Sequence, residues 1–99
     1  MTTLPTKEQL ADKFAAVLRE WLEPHEFERM KRLNRAEPRT PHKVCHSHDF
    51  CDANMAMHEA FTSFGIDPLS SDEAGEGMSE QVNDLWNDSW DHAFKEHLS

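Results

Sequence analysis

The chain contains no tyrosine, and its valines and isoleucines together number four: Val17, Val44, Val82 and Ile66. Strands favour β-branched and aromatic residues, so this shortage argues against a sheet. Leu, Ala, Met, Glu and Lys are plentiful instead, and these lose little side-chain freedom on a helix. The expected fold class is all-α. Glycine occurs only at 65, 75 and 77, which leaves no Gly-rich loop to cradle a phosphate. No apolar run approaches the roughly 18 residues of a membrane span, and the start, MTTLPTKEQLADK, lacks the basic and apolar segments of a secretion signal. A cytoplasmic protein without membrane contact is the expectation. Cys45 and Cys51 are too few for a secreted disulfide framework, so in a reducing compartment they stand as thiols or metal ligands.

At 99 residues the chain has the length of one helical domain, and 37% apolar residues allow a modest core. Six Phe, three Trp and five Met supply large contact areas from few positions. Thr6 with Gln9 three residues later is a capping-box pattern, and Leu10, Phe14, Val17, Leu18, Trp21 and Leu22 follow at helical spacing, which predicts a first helix from about residue 7 to 23. Pro24 suits the first turn of a second, short helix with Phe27, Met30 and Leu33 on one stripe. Residues 37–44 carry two prolines and no period, so they read as an extended loop. Ser47 or Asp49 can cap a third helix whose stripe is Phe50, Asn54, Met57, Phe61 and Phe64, with Gly65 as its stop. Asn54 is the polar anomaly in that stripe and is expected to bridge to another element. Residues 67–79 are rich in Gly, Ser and acid, and read as a flexible acidic linker. Ser79 then caps a last helix with Val82, Leu85, Trp86, Trp90, Ala93, Phe94 and Leu98 on one face. Four helices in a small bundle, with an acidic loop before the last, is the simplest architecture.

The formal charge of −9 is segregated along the chain. Residues 1–28 hold three cations and six carboxylates, whereas residues 29–43 hold Arg29, Lys31, Arg32, Arg35, Arg39 and Lys43 against Glu37 alone. Residues 44–99 then carry twelve carboxylates against Lys95. The basic band has no interleaved aromatics and is flanked by acid, so direct contact with nucleic acid is not expected.

Metal-ligand residue types concentrate at His42, Cys45, His46, His48, Asp49, Cys51, Asp52 and His58. On a helix His48, Cys51 and His58 share a side, so His48 and Cys51 can hold one zinc ion while Cys45, His42 or His46 approaches from the loop. The spacing matches no standard zinc finger or ribbon, and the plain alternative makes Cys51 a small core residue and His48 with Asp52 a surface pair. The adjacent His48 and Asp49 also fit a small metal-dependent hydrolase, but such a centre needs further ligands from separate helices. A Cys beside a His fits an activated thiol, yet no oxyanion donor is recognisable.

Residues 48–61, HDFCDANMAMHEAF, and residues 85–90, LWNDSW, with a variable acidic stretch between them, resemble a group of small uncharacterised proteins of proteobacteria and their phages. The shared segments span about a fifth of the chain. The resemblance implies that His48, Asp49, Phe50, Cys51, Asp52, Asn54, Met55 and Glu59 on the third helix face Trp86, Asn87 and Trp90 on the last. It also implies a mobile-element setting.

Charge segregation without a catalytic constellation leads to a non-enzymatic protein-interaction module. Its acidic surface (Asp49, Asp52, Glu59, Asp84, Asp88 and Asp91) would meet a basic or nucleic-acid-binding protein, as an inhibitor or modulator of host nucleic-acid or defence machinery. The alternatives are a small zinc-binding protein using His42, Cys45, His46, His48, Cys51 and His58, and a metal-dependent hydrolase. Monomer and homodimer both fit, since Trp86, Trp90 and Phe94 can build a core or a dimer contact.

Overall fold

The computed structural model describes residues 4–36 and 51–99, and of Cys51 the backbone only. Four helices make up this part of the chain: α1 (Lys7–Trp21), α2 (Pro24–Ala36), α3 (Cys51–Ser63) and α4 (Glu80–Glu96), with a short 3-10 helix (Pro68–Ser70) between the last two. No strand occurs among the described residues. The fold is a small all-α bundle, and among the described residues no helix is long and apolar enough to cross a membrane.

Several helix boundaries have a local chemical cause. The Thr6 hydroxyl accepts the Gln9 N–H at 3.1 Å, and the Gln9 side chain accepts the Thr6 N–H at 2.8 Å, so two donors that the helix cannot use are satisfied reciprocally. α1 ends where Leu22 turns extended with φ −100° and ψ 143°, and two residues later Pro24 opens α2. α3 stops at Gly65, whose φ of +80° is strained for any residue with a Cβ. There the Ile66 N–H reaches Phe61 O at 3.1 Å and the Gly65 N–H reaches Thr62 O at 2.9 Å, a Schellman closure that brings Ile66 back against the core. The Ser79 hydroxyl caps α4 by accepting the Val82 N–H at 3.1 Å.

α1 is the central element and packs most extensively against α3 and α4. Its buried residues Leu10, Ala11, Phe14, Ala15, Val17 and Leu18 span nearly half its circumference, a stripe broad enough for two helices to lie on it at once. Phe14 sits 5.4 Å from the Trp90 ring and 6.0 Å from Phe94, and Trp90 and Phe94 stack at 4.8 Å. Phe61 of α3 stacks on Trp86 of α4 at 5.5 Å. Among the described residues the buried Trp90 indole N–H meets no hydrogen-bond partner. An unmade buried bond costs about 1–3 kcal/mol, whereas burying about 200 Å² of indole contributes about 5 kcal/mol, so the packing wins.

The buried face of α3 differs from the expected stripe. Ala53, Ala56, Met57, Ala60 and Phe61 are buried, while Asn54 and Phe64 are only half-buried. Three alanines let the α1 and α3 backbones approach closely, and that closeness selects the small residues over the larger ones beside them. Met55 and Glu59 lie on the solvent side, Met55 at 57% exposure, so they do not face Trp86 and Trp90 as the resemblance implied. Trp21, placed in the core by its spacing, is 46% exposed because it sits in the last turn of α1. Leu33 and Leu85 stand half-buried at the edge of the core.

The polar bridge expected at Asn54 is made by Asn34 instead. Asn34 is 8% exposed, and its amide donates to Phe94 O and Leu98 O, both at 3.0 Å. The last carbonyls of α4 have no intrahelical donors, so one side chain of α2 caps the far end of the bundle. His97 Nε2 adds a 2.9 Å contact to Asp12 Oδ1, tying the same end to α1.

Residues 67–79 form a hydrogen-bonded loop. Asp67 Oδ1 accepts the Leu69 N–H at 3.1 Å, Pro68 is buried, and the Ser79 N–H donates to Ser71 Oγ at 2.9 Å, closing the loop on itself. Within it Asp72 Oδ1 accepts the Glu76 N–H at 2.9 Å, and the Asp72 N–H meets Gly77 O at 3.0 Å.

Replacing Asn34 by Ala removes two buried hydrogen bonds and is expected to lower the unfolding free energy by about 1–3 kcal/mol. Asn54→Ala is expected to cost less than about 0.5 kcal/mol at its half-buried site. Urea titration of both variants checks this ranking; equal losses would contradict it.

Candidate functional site

The core assigns one side of α4 to Trp86, Trp90, Ala93 and Phe94, so the opposite side is solvent, and its residues decide what a partner meets. Glu80, Asp84, Asp88 and Asp91 are all exposed there. Their spacings of four, four and three residues put them on one face of the helix. Among the described residues none of the four is held in an ion pair or side-chain hydrogen bond. Glu80 also stands in the first turn of the helix, where the macrodipole favours negative charge. Lys95 ends the row one turn beyond Asp91.

Two neighbours shape this face. At its N-terminal end the closed loop adds exposed Glu73 and Glu76 and half-buried Asp72, because Ser79 is both the cap of α4 and the residue that closes onto Ser71. At its C-terminal end α4 and the start of α1 form a cleft of about 280 Å³, where Lys7 and Lys95 stand beside Asp88, Asp91 and Glu96. The acidic potential is therefore strongest toward Glu80 and Asp84 and partly balanced at the other end.

On α3 the solvent side carries Asp52, Met55, Glu59 and Thr62, all exposed. Met55, between carboxylates three residues before and four after it, presents an apolar, polarizable tip flanked by negative charge. Of the six surface carboxylates expected from the sequence, Asp52, Glu59, Asp84, Asp88 and Asp91 are exposed on helices, and Asp49 lies outside the described residues. Glu80 belongs to the same row and was missed, although the four-residue spacing to Asp84 and Asp88 carries it.

The zinc set stands differently. His42, Cys45, His46 and His48 lie outside the described residues, as do Arg39 and Lys43 of the basic band, and the Cys51 side chain is not described. His58 is half-exposed on α3, and its Nε2 is 3.9 Å from Asp67 Oδ1, the oxygen that also accepts the Leu69 N–H. Among the described residues no three His, Cys, Asp or Glu side chains are grouped to hold a metal ion. The basic residues of α2 are exposed at Arg29, Arg32 and Arg35, with Lys31 half-buried and 3.5 Å from Glu28. α2 thus carries more cations than carboxylates and α4 more carboxylates than cations.

No protein-family model, curated protein or solved structure matches the chain.

The His58–Asp67 pair is long and solvent-exposed, so His58→Ala is expected to change the unfolding free energy by no more than about 0.5 kcal/mol. Thermal unfolding with and without a chelator checks this. A loss above about 2 kcal/mol that the chelator reproduces in the wild type would instead place His58 among the ligands of a structural metal.

Proposed function

We propose that the protein is a non-enzymatic interaction module whose acidic face, formed by α4 with the solvent side of α3 and the loop before α4, binds a basic, nucleic-acid-binding protein. One observation carries the reading: Glu80, Asp84, Asp88 and Asp91 line one exposed side of a single helix with no cation paired to them among the described residues. Unpaired like charges on one face repel one another and weaken the helix by tenths of a kcal/mol each. A cationic partner removes that repulsion, raises the association rate by long-range attraction, and gains a register from the four-, four- and three-residue spacing. Met55 and exposed Leu69 supply apolar contact near such a surface, where charge alone gives rate more than affinity. A protein of this kind competes with nucleic acid for its partner, which fits the mobile-element setting that the sequence resemblance implies and the role of an inhibitor or modulator of host machinery.

The test is capture of partners on immobilised protein, comparing wild type with the variant Glu80→Gln, Asp84→Asn, Asp88→Asn, Asp91→Asn. Wild type is expected to retain basic nucleic-acid-binding proteins at low ionic strength and to release them as the Debye length shrinks toward about 3 Å at ~1 M salt. Added duplex DNA is expected to displace them, and the neutralised variant to retain none. Retention that survives high salt, or equal retention by the variant, would overturn the reading.

A further inference from the structure

A second site, of opposite charge, lies at the corner between α1 and α2. A cleft of about 430 Å³ is lined there by Arg19, Leu22, Pro24, Phe27, Glu28 and Lys31. Its volume falls within the range of small-molecule pockets, about 300–1,000 Å³. Leu22 and Phe27, each 9% exposed, and Pro24 supply an apolar floor. Arg19 comes from α1 and Lys31 from α2, so two cations on different helices bracket that floor.

Both cations are positioned for an anion. The Arg19 guanidinium carbon lies 5.3 Å over the Phe27 ring, a cation–π contact that orders the side chain while leaving its fork of N–H donors without a hydrogen-bond or ion-pair partner among the described residues. Lys31 is the more enclosed partner of its ion pair, 26% exposed against 61% for Glu28, and the 3.5 Å separation marks a surface pair. Surface pairs of this kind contribute about 0–1 kcal/mol, so exchanging Glu28 for a ligand carboxylate costs little. Pro24 opens α2, whose positive dipole end borders the same space. The cleft carries a net positive charge in a chain of net −9, and it pairs that charge with an apolar floor.

We infer that this cleft binds a small monocarboxylate with a hydrophobic body: the carboxylate bridges Arg19 and Lys31, and the hydrocarbon or aromatic part lies on Leu22, Pro24 and Phe27. A fork-shaped guanidinium suits a planar carboxylate. The apolar floor selects against inorganic anions. This inference does not rest on the acidic face, and neither stands or falls with the other.

The experiment is a titration of the full chain followed by amide NMR shifts, with octanoate as the probe and octanamide and inorganic phosphate as controls. Octanoate is expected to bind saturably, with shifts at Leu22, Phe27, Glu28 and Lys31. Octanamide, which lacks the charge, and phosphate, which lacks the chain, are each expected to bind about tenfold more weakly or worse. Arg19→Gln and Lys31→Gln are each expected to weaken octanoate about tenfold while the thermal midpoint falls by no more than about 8 °C, the loss of one surface cation–π contact or ion pair. Octanamide binding as well as octanoate, indifference to both variants, shifts centred elsewhere, or no saturation would each overturn the inference.

Discussion

The structure depends on Phe14 meeting Trp90 and Phe94. This contact fixes α4 against α1 through three aromatic rings within 6.0 Å of one another, and it fixes α4 in rotation as well as position. Once Trp90 and Phe94 point inward, the helical period sends Glu80, Asp84, Asp88 and Asp91 outward with no further choice. The acidic face is thus a geometric consequence of the aromatic core.

The ends of the bundle are held by polar groups rather than by more apolar surface. Asn34 donates to one carbonyl in the last turn of α4 and to one just beyond its end, and His97 reaches Asp12 on α1. These contacts anchor the last turn of a helix whose other side carries like charges. The opposite end is tied by Ser79, which caps α4 and closes the acidic loop with one residue. Both ends of the acidic row therefore sit on anchored backbone, as recognition by fixed spacing requires.

Much of this was legible in the sequence where the cause is local. Thr6 with Gln9, Pro24, Gly65 and Ser79 mark their boundaries because each acts through bonds to residues three or four positions away, or through its own φ. The inward face of α4 was legible because large aromatics at spacings of four dominate any count. Asn34 was not legible, since its partners lie 60 and 64 residues along the chain and are backbone carbonyls that carry no sequence signal. The Ala53, Ala56 and Ala60 face of α3 was masked by larger neighbours, and Trp21 followed a period that outlasts the helices packed against it. Of the acidic face, single carboxylates were legible from charge, but their continuity with the loop required the Ser71–Ser79 closure. The cation-lined corner was invisible because Arg19 and Lys31 belong to helices whose crossing only the fold defines.

Amide shifts during titration with a Lys- and Arg-rich helical peptide test most directly whether the solvent side of α4 is a binding surface for a cationic protein. Saturable shifts at Glu80, Asp84, Asp88 and on the solvent side of α3, weakening as salt rises, are the predicted result. Shifts spread evenly over all exposed carboxylates, including Glu8, Glu20 and Glu26 on α1 and α2, would contradict it, because they would show attraction to net charge without a site.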